Sequence, residues 1–147
     1  MRAPRRTLAC ALAALLAGCG SPGTRSVTFS TASGQVRLQA AVADEPHERA
    51  RGLMGRASLP SDEGLLFLWP DVGERTFTMA GTLIPLDVIV VRNGVVVQIL
   101  TLEPCEDSDW ASCLRSVTVP ADMVVEANAG AAADSGIEVG SRARVGS

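Results

Sequence analysis

The chain has no lysine, no tyrosine and a single histidine, and its aromatic residues are two tryptophans and three phenylalanines. Each scarcity removes a class of function. All 13 basic residues are arginine, scattered among 16 acidic ones, so there is no basic stripe to neutralise phosphates, and nucleic acid is not an expected partner. One histidine cannot build a histidine-rich metal site, and any Ser-His-Asp triad would have to use His47. His47 stands between Pro46 and Glu48 at a predicted helix start, where a solvated polar side chain is the ordinary outcome. Gly52, Gly55 and Gly64 do not have the spacing of a phosphate-binding loop, and no Cys-x-x-Cys pair is present. With no nucleophile beside a base, no metal cluster and no cofactor motif, the expectation is a non-catalytic protein that needs no metal and no cofactor.

What is present begins at the N-terminus. Arg2, Arg5 and Arg6 precede an apolar run from Thr7 to Ala17, too short to cross a bilayer, which takes about 20 residues. A basic start, a short apolar segment and small residues mark a secretory signal. Leu16-Ala17-Gly18-Cys19 resembles the signal of bacterial lipoproteins, which implies that Cys19 carries lipid and becomes the mature N-terminus. Acyl anchoring contributes roughly 0.8 kcal/mol per buried CH₂. Thr7-Leu8-Ala9 after Arg5-Arg6 fits a twin-arginine signal poorly. Ser21-Pro22-Gly23-Thr24 reads as a tether. Residues 1–18 are thus read as signal, 19–26 as tether and 27–147 as one domain. The formal charge moves from −3 to −6 when Arg2, Arg5 and Arg6 leave with the signal, which holds no acidic residue. Gly20, not aspartate, follows Cys19, so in a Gram-negative host an outer-membrane anchor facing the periplasm is expected. The expected partners are the membrane, through the lipid, and an envelope protein or small ligand; the domain is expected to be a monomer.

Cys10 lies in the signal, leaving Cys105 and Cys113 in the mature domain. In an oxidising envelope such a pair is expected to form a disulfide, contributing about 2 to 3 kcal/mol in the chain-entropy picture. Glu103, Glu106, Asp107 and Asp109 cluster around it as a solvated acidic loop, without the spacing of a calcium-binding hand. Trp110 sits between the cysteines. It is a candidate contact for a partner, or a cover for the disulfide.

The domain itself reads as strands. Val27 to Thr31 and Gln35 to Val42 alternate apolar and polar residues. Pro46 to Arg56 has helical spacing at Ala50, Leu53 and Met54, with Asp44 or Glu45 as candidate cap. Gly64 to Trp69 reads as a buried strand ended by Pro70-Asp71, with Trp69 in the core, and Arg75 to Met79 as another. Leu86 to Val91 and Val95 to Leu102 flank Asn93-Gly94, a strong hairpin signal because both residues tolerate positive φ. Arg115 to Val119, Met123 to Ala127 and Ile137 to Val145 are further strands, with a helical turn from Gly130 to Ser135. Many short strands without βαβ alternation predict a mainly β domain, a sandwich or barrel with one or two short helices.

Several segments together resemble one family. They are Glu48 to Arg56, Asp62-Glu63-Gly64-Leu65-Leu66-Phe67, Thr82-Leu83-Ile84-Pro85-Leu86-Asp87, Asn93-Gly94, Pro104-Cys105, Pro120-Ala121, Val125-Glu126, Asn128-Ala129-Gly130 and Gly136-Ile137-Glu138-Val139-Gly140. In this order they are similar to the domain-of-unknown-function family 192 of bacteria and archaea. The resemblance implies a jelly-roll-like β-sandwich and no known activity. Where that family usually reads Phe-Trp-Met-Lys-Asn-Thr, this chain has Phe77-Thr78-Met79-Ala80-Gly81-Thr82, so the aromatic, the cation and the amide are missing at Thr78, Ala80 and Gly81.

Two carboxylates stand inside apolar runs. Asp87 and Glu126 must each find a partner or face water, because a buried ionised carboxylate is costly. Paired across a pocket they would suit a hydrolase acting on envelope carbohydrate. Otherwise they would be matched by arginines, for which Arg51 and Arg56 are candidates, or would point outward along their strands. Asp87, Glu126 and Arg51 are also candidate ligand contacts for the favoured reading, a binding domain.

Overall fold

The computed structural model describes residues 23–107, 109, 111, 113 and 116–146. Its strands are β1 (Thr24–Thr31), β2 (Gly34–Ala43), β3 (Glu63–Thr78), β4 (Leu86–Arg92), β5 (Val95–Leu102), β6 (Ser116–Asn128) and β7 (Arg142–Val145), with helices α1 (Pro46–Arg51) and α2 (Ala131–Asp134). The strands close into a barrel in the order β1-β2-β3-β6-β4-β5-β7. Closure is made by β7, which pairs with β1 from Val27↔Val145 to Ser30↔Arg142 and meets β5 at Val95↔Arg142. The mainly β expectation holds, and of the two forms left open the barrel is the one adopted.

Strand alternation sorts the apolar residues into two cores. Val27, Phe29, Leu38, Leu66, Ile89, Val96, Val125 and Ala143 come from all seven strands and fill the barrel interior. Leu65, Phe67, Val88, Val90, Val119 and Val124 face the other way, into a second cluster outside β3, β6 and β4. It is closed by Leu53, Leu59, Met79 and Ala80 from the connecting segments. β4 is therefore buried on both faces, which is why it reads as an unbroken apolar run.

The β4–β5 turn follows its sequence. Asn93 and Gly94 take φ of 52° and 74°, as a type I′ hairpin requires. The Asp122 carboxylate accepts the Asn93 N–H at 3.1 Å.

Elsewhere long-range pairing redraws the elements. β2 and β3 run parallel, from Gln39↔Glu63 to Ala43↔Phe67, and a parallel pair demands a crossover. Residues 44–62 supply it. Absence of βαβ alternation was therefore the wrong expectation at this one place, because a crossover this short and irregular leaves little periodic trace. Within it α1 stops at Arg51, before Gly52 at φ 50°, and does not run on to Arg56. Glu48 Oε2 accepts the N–H groups of Glu45 and Asp44 at 3.1 and 3.2 Å, holding the helix start. The strands separated at Pro70-Asp71 are one continuous β3, bulged between Leu68 and Gly73 where its register against β6 shifts. β6 is likewise one strand, and β7 begins only at Arg142.

Candidate functional site

The crossover lies over the outer face of β3 and β6, and a cavity of about 320 Å³ opens beneath it. Its floor is Glu126. On β6, Glu126 stands opposite Leu65 of β3 and Val88 of β4, so its side chain shares their outward face. The backbone above it is that of Gly52. A Cβ added to Gly52, at φ +50°, would come 3.9 Å from Glu126 Oε2 and 3.8 Å from the Phe67 ring. At the other end of the residue, a Cβ on Gly64 would meet the Glu126 carbonyl at 2.8 Å, which keeps that position side-chain-free.

Glu126 is only 6 % exposed, and its carboxyl makes no hydrogen bond or ion pair with a described residue. Burial pushes its pKa up from 4.5 to about 8, because desolvation penalises the charged form. At neutral pH the floor of the cavity is a carboxylic acid, able to donate as well as accept a hydrogen bond.

One wall is aromatic. Phe67 stacks on Trp69 with centroids 6.1 Å apart, and Phe77 meets both edge-on, at 5.1 Å from Phe67 and 6.2 Å from Trp69. Two guanidinium groups lie over the Trp69 ring, Arg75 at 4.8 Å and Arg49 at 5.6 Å. Both are tethered. Arg75 donates from Nη2 to the Asp71 carbonyl and carboxylate at 2.7 and 3.2 Å and from Nε to the Ala121 carbonyl at 3.2 Å. Arg49 donates to the carbonyls of Leu68, at 3.1 Å, and Asp44. Arg51, which also lines the cavity, is exposed and its guanidinium has no partner among the described residues.

The sequence candidates fare differently. Asp87 is buried at 2 % exposure, but it is spent on the fold. It accepts the Thr101 hydroxyl at 2.7 Å and the Ala132 N–H of α2 at 3.0 Å. Asp87 faces Ala127 while Val88 faces Glu126. The two carboxylates are therefore one residue out of step and lie on opposite faces of the sheet. They form no pair, and neither carries the expected arginine bridge from Arg51 or Arg56: the only ion pair among the described residues joins Arg75 to Asp71. His47 is exposed and borders a second hollow of about 420 Å³ on the other side of the crossover. Among the described residues no His, Cys, Asp and Glu group could hold a metal.

Cys105 and Cys113, the pair expected to form a disulfide, both belong to the outer cluster. Cys113 is buried in the outer cluster, its N–H donating to the Asp109 carbonyl at 3.2 Å. Cys105 bridges to the backbone of Ala80 and Thr82, with its sulfur 3.9 Å from the Asp107 carbonyl. Cys19 and Trp110 lie outside the described residues.

Sequence reasoning passed over Arg49 and Arg75 and placed Trp69 in the core. Trp69 is half-buried and forms the cavity wall. The only local signal for this was an aromatic at the end of a strand with arginines six residues on and in the preceding helix, which only the crossover brings together.

Residues 28–145 match the family model for domain of unknown function 192, described as "Uncharacterized ACR", and the chain belongs to that family. No curated protein matches it. A solved structure from Sinorhizobium meliloti 1021, described as a "putative transcription regulator", is 27 % identical with a TM-score of 0.75, covering 87 % of this chain and 98 % of its own. Another, a protein of unknown function from Novosphingobium aromaticivorans DSM 12444, is 31 % identical with a TM-score of 0.72, covering 82 % and 84 %. The departure from the family pattern falls at the cavity. Thr78 is on its wall, Ala80 is buried in the outer cluster, and Gly81, at φ +66°, sits where a Cβ would meet Met54 Cε at 2.9 Å.

Proposed function

We propose that this protein is a lipid-tethered envelope domain that binds a small ligand in the cavity beneath the 44–62 crossover and catalyses no reaction. The observation that carries the reading is Glu126: a buried carboxyl with no partner among the described residues, opening onto a cavity walled by aromatic and guanidinium groups. The one fully buried side-chain polar atom without a partner among the described residues is Ser26 Oγ; the Glu126 carboxyl instead opens onto the cavity, where a ligand can meet it. Concave sites in which aromatic side chains meet a few polar groups are where small molecules bind.

Hydrolysis through paired carboxylates loses its support because Asp87 and Glu126 lie on opposite faces. The acidic balance of the chain speaks against carrying over the regulator description of the Sinorhizobium relative. The N-terminal Leu16-Ala17-Gly18-Cys19 supports attachment through Cys19, and Gly20 supports an outer-membrane location facing the periplasm. A protein partner bound through the same surface is the competing reading, favoured if crosslinking in cells yields one adduct that survives a blocked cavity.

The test is a thermal-shift screen of the full chain against a library of small polar and aromatic compounds, repeated with Glu126→Leu. Ligands that raise Tm in the wild type are expected to lose their effect in the variant, which keeps its fold because it trades a buried carboxyl for an apolar side chain. Compounds that stabilise both proteins equally, or none that stabilise the wild type, would refute the reading.

A further inference from the structure

We infer that the cavity selects a small organic anion, its charged end held between the Arg51 guanidinium and the Glu126 carboxyl and its planar body lying along the aromatic wall. The inference rests on the binding reading above and adds the chemical class of the ligand.

Charge decides first. The ionisable groups facing the cavity are Arg49 and Arg51 from the crossover, Glu74 and Arg75 from β3, and Glu126 itself. Arg75 is matched by Asp71 at 3.2 Å. Arg49 spends donors on backbone carbonyls, which leaves its charge uncompensated. Glu74, exposed on β3, offsets one of the two remaining guanidinium charges. With Glu126 neutral, the cavity keeps a net positive charge, which disfavours a cationic ligand.

Geometry decides next. A carboxyl buried at the floor and carrying its proton can donate to an incoming oxyanion, and a charge-assisted O–H···O⁻ bond is among the stronger kinds available. Gly52, whose Cβ position lies 3.9 Å from Glu126 Oε2, is the neighbour of Arg51, and both Arg51 and Glu126 line the cavity. Arg51, which lines this cavity and the second hollow alike, has no other partner among the described residues, so engaging it breaks no existing bond.

Size and lining decide the rest. About 320 Å³ lies at the lower end of the range for small-molecule sites, roughly 300 to 1,000 Å³. It admits a ring with one or two substituents and excludes a dinucleotide or an extended oligosaccharide. Phe67, Phe77 and Met54 offer flat or pliable apolar surface, which a bare inorganic anion would leave unused.

The full chain is titrated with benzoate, benzamide and inorganic phosphate at pH 7 and pH 9, reading binding by calorimetry. Benzoate is expected to bind at pH 7 at least tenfold more tightly than either of the others. Its affinity is expected to fall about tenfold by pH 9, since burial holds the Glu126 pKa at about 8 and the protonated fraction drops tenfold for each unit above it. Arg51→Gln should weaken benzoate at least tenfold. Glu126→Gln keeps a donor at the floor, so benzoate binding at pH 7 should persist within a few-fold while the change between pH 7 and 9 disappears. Benzamide binding as well as benzoate would overturn the anionic class while leaving the cavity a binding site. Phosphate matching benzoate would overturn the role given to the aromatic wall. Absence of any benzoate binding would overturn the inference outright, with the cavity itself then judged by the library screen on Glu126→Leu.

Discussion

Replacing Glu126 by glutamine tests the electrostatics of the site without reference to any ligand. In the folded protein burial raises the Glu126 pKa from 4.5 to about 8; in the unfolded chain it returns to the ordinary range. Between those values the folded state holds a proton that the unfolded state releases. The raised folded value means the stability is fully present below about pH 4.5 and is lost as pH rises toward 8, after which both states are ionised and the slope ends. Each pKa unit corresponds to about 1.4 kcal/mol, so the whole window amounts to about 5 kcal/mol, large beside a typical domain stability of roughly 5 to 15 kcal/mol. Glutamine has the same shape and never ionises. The difference in unfolding free energy, variant minus wild type, should therefore grow by several kcal/mol between pH 5 and pH 8 and then level off. Constant offsets from the altered hydrogen bonding do not affect that slope. Chemical denaturation of both full-length proteins across pH 4 to 9, followed by tryptophan fluorescence, measures it. Two parallel stability profiles would refute the argument, because they would mean that Glu126 is solvated or ion-paired in the folded state.

Asp87→Ala should destabilise the domain by about 1 to 3 kcal/mol, since it removes the acceptor of the Thr101 hydroxyl and orphans the buried Ala132 N–H. It should leave benzoate affinity unchanged, because the residue lies on the face away from the cavity; denaturation and calorimetry on one preparation check both halves. Gly64→Ala places a Cβ 2.8 Å from the Glu126 carbonyl and should cost about 1 to 3 kcal/mol as β3 and β6 are forced apart, read as a lowered denaturation midpoint. Cys19→Ala should abolish incorporation of labelled palmitate and leave the signal uncleaved at that site, whereas unchanged labelling would remove the lipid anchor from the proposal.

The local vocabulary of this fold was legible without a structure. Alternation marked β1 and β2, an apolar run marked β4, and Asn93-Gly94 marked the one hairpin whose turn chemistry is encoded in two adjacent residues. The lone acidic residues in apolar surroundings were legible as well: Asp87 and Glu126 had to be either satisfied or exceptional. Which was which could not be read locally. Only the pairing of β4 with β6, offset so that Val88 and not Asp87 meets Glu126, sends one carboxyl to Thr101 and α2 and the other to the cavity. The parallel β2–β3 pair lies equally beyond local reading, and it lays the crossover with Arg49, Arg51 and Gly52 over Phe67, Trp69 and Glu126. Periodicity records which residues of one segment share a face. The register between segments distant in sequence is set by the joint packing of two cores and the closure of the barrel, so it exists only once the whole chain has folded.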